Sequence, residues 1–187
     1  DLEDLQINDN ALLTTFVSEL SAVFHKEGLY VTQDVAPFNE DYDMEQLAKC
    51  NDYLFLMAYD EHNSASKPGD VCSQQFVERA TDWAARNIPN DKLVLGLAAY
   101  GYDWCEDKQG ETVTFNQAVA SALNAGAPID FNEDSYNLNF SYIDDNNKLH
   151  QVYLTDAATS YNIMRFGAEY HLAGFSVWRL GTEDSRI

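Results

Sequence analysis

The chain has 187 residues, enough for one domain with a sizeable core, and its 45% hydrophobic and 13% aromatic content is that of a globular protein. Its 31 acids against 11 bases leave a formal charge of -20, so phosphate backbones and anionic lipid are repelled, and nucleic acid and membrane surfaces are poor partners. The longest apolar run, Tyr53–Tyr59, is far too short to span a bilayer, and no secretory leader is visible.

The chain opens on Asp1-Leu2-Glu3-Asp4. If this is the end of a strand, Asp1 and Glu3 share one face, because alternate side chains of a strand point the same way. Leu12, Leu13, Phe16, Val17, Leu20, Val23 and Phe24 then recur at helical spacing, with Gly28 as the stop. Leu29–Val35 reads as a strand closed by Pro37, and Met44–Cys50 as a short helix. Tyr53–Tyr59 is a continuous apolar run, the pattern of a strand buried on both faces. Ser73 can cap a helix carrying Phe76, Ala80, Trp83, Ala84 and Ile88 on one face. Leu93–Ala99 reads as another buried strand. Thr114 and Gln117 form a capping-box pattern, opening a helix to about Ala125. Leu138–Asp144 and Leu149–Thr155, joined by a turn at Asp144-Asp145-Asn146-Asn147, read as an antiparallel hairpin inserted over about 136–155. Asp156 caps a last helix with Ile163, Phe166, Ala168 and Tyr170, and Ala173–Trp178 is the closing strand.

Strands alternating with helices imply parallel βαβ units. With the stub at Asp1–Glu3 there are five such strands. A doubly wound nucleotide-binding sheet would want a glycine-rich turn after its first strand, and neither GxGxxG nor a P-loop occurs. Acids and aromatics instead collect where several strands end: Asp1 and Glu3, Tyr59 and Asp60, Tyr100 and Tyr102, Trp178. That is the pattern of a (β/α)8 TIM barrel, with chemistry at the carboxyl ends of many strands. Cys50, Cys72 and Cys105, without CxxC spacing, suit neither a disulfide framework nor a zinc site.

Four of these strand ends carry a resemblance. Asp1-Leu2-Glu3 resembles the end of the DxxDxDxE strand of family 18 glycoside hydrolases, the chitinase-like barrels. Met57-Ala58-Tyr59-Asp60 resembles that family's Met-x-Tyr-Asp motif, Gly96–Trp104 its seventh strand, and Gly174–Asp184 its eighth, which ends in tryptophan. The order and spacing agree across essentially the whole chain. Tyr59-Asp60-Glu61-His62 and the segment after Trp178 look most like the bacterial branch of peptidoglycan- and spore-cortex-lytic enzymes. That branch also occurs fused to deacetylase and glycosyltransferase modules.

The resemblance implies that residues 1–187 are part of one barrel domain, from the fourth strand to the eighth, with the hairpin as an insertion. It implies retaining, substrate-assisted hydrolysis of β-1,4 bonds beside N-acetylated amino sugars in chitin-like or peptidoglycan-like glycan. No metal and no organic cofactor is expected, and the location implied is extracellular or at the cell envelope. Such enzymes are an exception to the two-carboxylate scheme. Glu3 would be general acid and then base; Asp1 would orient the substrate's acetamido group, whose own oxygen attacks the anomeric carbon. Tyr59 would donate to that oxygen, Asp60 would bind sugar hydroxyls, and Trp178 would floor the ring. Tyr100 and Tyr102, with Trp104, would line the groove, one of the three being packing. For Glu3 a raised pKa is expected, from burial and a nearby like charge.

Each residue also has a plainer reading. From spacing alone Asp1 and Glu3 are a solvated terminus, Tyr59 is a core tyrosine, Asp60 caps a loop, and Trp178 is core. His62 is an incidental loop histidine, and Asp41-Tyr42-Asp43 and Asp144-Asp145 are turn formers, lacking the glycine and distal glutamate of a calcium loop. The rival function is a non-catalytic, lectin-like barrel of the same lineage; such relatives commonly lose the acid, and Glu3 is present. A partial barrel exposes two sheet edges, so residues 1–187 alone are expected to be weakly active or to associate.

Overall fold

A computed structural model describes residues 1–3, 5–106 and 108–187; Asp4, the third acid of the opening run, lies outside them. Contacts divide the chain into two units. The first holds Asp1–Ala58, Glu78–Gly96 and Gly167–Ser176; the second holds Tyr59–Val77, Leu97–Phe166 and Val177–Ile187. No helix among the described residues is long and apolar enough to cross a membrane.

One sheet has the order β1-β2-β3-β9, from β1 (Thr32–Val35), β2 (Tyr53–Leu56), β3 (Leu93–Ala98) and β9 (Gly174–Trp178); all of β1 and β2, Leu93–Gly96 and Gly174–Ser176 are counted in the first unit. β1 pairs with β2 and β2 with β3 in parallel, as the βαβ pattern predicts. Every residue of β3 is buried, matching its unbroken apolar run. β2 departs from expectation: it ends at Leu56, and only Leu54 and Leu56 are fully buried, while Tyr53 is exposed. Alternate side chains face opposite ways, and only one face of β2 is fully covered. Asp1–Glu3, expected as a fifth strand, lies outside any strand, so among the described residues this sheet has four.

Helix α1 (Asn10–Phe24) buries Leu13, Val17 and Ser21, one residue per turn, and ends near Gly28, whose φ of 71° is the left-handed stop glycine allows. Leu12, Phe16 and Val23, on the same apolar pattern, are exposed. Helix α2 (Met44–Cys50) is capped by Asp43, which accepts from Gln46 N at 3.0 Å. At its other end Lys92 Nζ donates to the carbonyls of Ala48 and Asn51 at 2.7 and 2.8 Å, a cation on orphan carbonyls.

In the second unit the expected two-strand hairpin is part of a larger antiparallel sheet. Its order is β5-β4-β8-β7-β6, from β4 (Gly101–Cys105), β5 (Glu111–Val113), β6 (Asp130–Phe131), β7 (Leu138–Ile143) and β8 (Leu149–Leu154). Helix α4 (Phe115–Ala125) packs Ala118 and Ala122 with Phe140, Val152 and Leu154 in a small core. Its Thr114/Gln117 capping box is formed in both directions. The expected caps at Ser73, for α3 (Gln74–Ala84), and at Asp156, for α5 (Ala157–Glu169), are present.

Asp184, buried near the end of the chain, accepts from Ala157 N at 3.2 Å and from Arg186 Nε at 2.9 Å, and Arg186 lies over the Phe115 ring. The Arg186 guanidinium holds the Asp184 carboxyl below its ordinary 3.8. The native state therefore binds this proton less readily than the unfolded chain. The stabilisation is present above the ordinary carboxylate range and fades as pH falls through it. Asp184→Asn is expected to cost about 1–2 kcal/mol at neutral pH and to flatten the acid limb of the unfolding midpoint against pH, followed by circular dichroism.

Candidate active site

Asp60 lies past the end of β2 at Leu56, directly after the half-buried Tyr59, and it is a non-glycine residue at φ 58°. Glu61 N donates to Val71 O at 2.9 Å and His62 N to Asp70 O at 3.2 Å, which folds the Tyr59–Val77 segment back on itself. His62 Nδ1 also meets the Asp70 carbonyl, at 3.0 Å, so this loop histidine is tied to its own loop.

The Asp60 carboxylate is exposed, yet its Oδ1 accepts two phenols: Tyr100 Oη at 2.5 Å and Tyr102 Oη at 2.9 Å. Both tyrosines are buried, at 4% and 7% exposure. Their rings meet edge to face, 5.6 Å apart at 88°, and Tyr59 meets Tyr100 in the same way at 6.4 Å. Tyr102 packs on Trp104, itself buried, and Trp104 meets Tyr153 edge-on at 5.9 Å. Burial, then the charge of Asp60, pushes both phenols up, Tyr102 to about 12, so both are donors at neutral pH.

The local fold explains the convergence. Tyr100 follows β3, and Thr155 Oγ1 donates to the carbonyls of Ala98 and Tyr100, ending that strand. Gly101 then starts β4, where a Cβ would stand 2.5 Å from the Tyr153 carbonyl oxygen; only glycine lets the two backbones approach so closely. Tyr102 and Trp104 alternate with Asp103 along β4, whose carboxylate accepts from Tyr142 Oη at 2.9 Å and meets His150 Nδ1 at 2.8 Å. Trp178, at the end of β9, takes Ala99 N on its carbonyl at 2.8 Å and leaves its indole 53% exposed; its bond to Arg179 is cis.

Asp1 and Glu3 belong to the first unit, the other five predicted residues to the second. Within the second unit Tyr59, Asp60, Tyr100 and Tyr102 form one cluster, which Trp178 joins at the backbone of Ala99. In the first unit Asp1 and Glu3 are exposed. The burial expected for Glu3 is absent, since among the described residues no strand pairs with the segment Asp1–Glu3 to carry it inward. It is held instead by Tyr42, which donates to Leu2 O at 2.8 Å, while Asp1 N lies 4.0 Å from Asp34 Oδ2. Burial, then the charges of Glu3, Asp41 and Asp34, raises the Tyr42 hydroxyl. In the sequence Tyr42 reads only as part of a turn and Asp34 only as part of a strand; the signal available was an acid at the carboxyl end of a strand and a tyrosine between two acids.

Residues 3–183 match the model for glycosyl hydrolases family 18. The chain belongs to that family. A cortical fragment-lytic enzyme of Bacillus subtilis is 28% identical over 97% of this chain and 45% of its own length. A di-N-acetylchitobiase of Rattus norvegicus is 26% identical over 92% of this chain and 56% of its own. The crystal structure of a chitinase from Chromobacterium violaceum superposes with a TM-score of 0.91 at 28% identity, over 96% of this chain and 60% of that one. This family 18 chain thus has an α/β fold of TIM-barrel type. It spans about half the length of the curated relatives it matches.

Proposed function

We propose that the protein hydrolyses β-1,4 bonds beside N-acetylated amino sugars, in chitin-like or peptidoglycan-like glycan, with retention and with the substrate's acetamido oxygen as nucleophile. The observation that carries this reading is the exposed Asp60 carboxylate, directly after Tyr59 and gripped by phenols from the next strand end. The relatives' names, a cortical fragment-lytic enzyme and a di-N-acetylchitobiase, support the substrate class. An extracellular or cell-envelope location follows from it.

In this reading β1, β2, β3 and β9 take the fifth to eighth positions of a (β/α)8 barrel, and Asp1–Glu3 stands at the end of the fourth. Glu3 protonates the leaving oxygen and then deprotonates water. Asp1 holds the acetamido N–H and steadies the oxazolinium ion that forms when the acetamido oxygen displaces the leaving group. Tyr59 donates to that same oxygen as it attacks. Asp60 accepts from a sugar hydroxyl, and the exposed Trp178 indole supplies the apolar floor.

The test is release of reducing ends from chitooligosaccharides and from peptidoglycan glycan strands. Cleavage of at least one substrate is expected. Binding of both without cleavage would overturn the reading in favour of a lectin-like barrel.

A further inference from the structure

Tyr100 and Tyr102 were expected to line the sugar groove, and their surroundings suit a different task. At 4% and 7% exposure neither ring has a face on which a pyranose could stack. Each places its one polar atom on the same oxygen of the same exposed carboxylate. We propose that Tyr100 and Tyr102 are positioning residues: their phenols fix the Asp60 carboxylate through Oδ1, so that Oδ2 is the oxygen offered to the glycan, and neither tyrosine touches the sugar. This rests on the function proposed above.

Three observations carry it. The terminal torsion of an aspartate is broad and roughly two-fold, so an exposed carboxylate left alone turns freely. Two donors converging on one oxygen, one of them at 2.5 Å, remove that freedom. Asp60 also holds a left-handed backbone, at φ 58°, a conformation that persists in a residue with a Cβ when its surroundings enforce it. Finally, the phenols cannot follow the carboxylate if it moves. Tyr102 is wedged between Tyr100 and Trp104, and Trp104 stands edge-on to Tyr153. The donors are fixed by packing on β4 and β8, and the acceptor adapts to them.

The experiment is a kinetic cycle with a spectroscopic arm. Tyr100→Phe and, separately, Tyr102→Phe are expected to lower kcat on an aryl chitooligosaccharide about tenfold, with KM within about twofold. In an Asp60→Ala background the same substitutions should add less than about twofold to the loss, since the group they act on is gone. The carboxyl 13C shift of Asp60, read in the folded single variants, should move in both. A Tyr→Phe loss of equal size in both backgrounds, with KM rising, would mean that the phenols meet the glycan, and the positioning role falls. An unmoved Asp60 shift overturns it as well, whether or not the protein cleaves. A wild-type protein that cleaves nothing removes the proposed function instead, a result distinct from either.

Discussion

Glu3→Gln is expected to slow glycan hydrolysis by about 10²–10⁴-fold, the contribution of a positioned general acid and base, while leaving the protein's thermal midpoint where it was. The second half of that expectation follows from where Glu3 sits. Its side chain is exposed and its segment is outside any strand, so an isosteric amide disturbs no packing and no ladder. Surface changes of this kind stay within about 0.5 kcal/mol. A large loss of kcat at constant stability therefore reads the chemistry and nothing else. The substitution carries its own control for placement: Glu3 is one of the charges that raise the Tyr42 hydroxyl, after burial. Removing that charge should lower the alkaline titration of Tyr42, seen in the ultraviolet. A glutamine variant that hydrolyses as fast as the wild type would take the acid role from Glu3.

Asn137→Ala should destabilise the second unit by about 3 kcal/mol. Asn137 is fully buried, and its Nδ2 donates to Cys72 O at 2.7 Å and to Ser135 O at 3.0 Å. Its Oδ1 takes a longer contact from Cys72 N, at 3.5 Å. Alanine leaves the buried Cys72 carbonyl without its donor and the Cys72 N–H without its acceptor, at about 1–3 kcal/mol for each unsatisfied group. Gln74 N, on the neighbouring turn, donates to Ser135 O at 3.0 Å. These bonds tie the Tyr59–Val77 segment, which carries Asp60, to the approach of β7. For a chain of this size the midpoint should fall by about 6–12 °C. A fall under about 2 °C would show that the segment is anchored elsewhere. The same variant should lose activity before it loses its helical signal, because the site's own segment is the one released.

What could be read from the residues was mostly local. The unbroken apolar run of β3, the Thr114/Gln117 box, the caps at Ser73 and Asp156 and the stop at Gly28 are all decided within a few residues, and all are present. The turn at Asp144 is of the same kind: its Oδ1 accepts from Asn146 N and Lys148 N. What escaped depends on distant partners. Gly96–Trp104 resembles a single strand of the family, but the Thr155 hydroxyl ends β3 and Gly101 starts a strand of an antiparallel sheet, so Tyr102 and Trp104 belong to different surroundings than their motif suggests. β5 and β6 have three and two residues, too few to show a period.

The site divides along the same line. That Tyr59 and Asp60 stand together after a strand is visible in the sequence. That Asp60 is gripped by phenols 40 and 42 residues away is not, because burial and not spacing turns those rings inward. Asp1 and Glu3 show the opposite case. Their alternation marks one face of a strand only if a neighbour pairs with it, and among the described residues none does. Motif register identified the family correctly while misjudging the environment of Glu3.

The most direct measurement is the anomeric configuration of the first product, followed by 1H NMR in the opening minutes of hydrolysis of a chitooligosaccharide. Attack by the substrate's own acetamido oxygen, followed by water on the opposite face, predicts that the new reducing end appears as the β-anomer and only later mutarotates. An α-anomer appearing first would contradict the account.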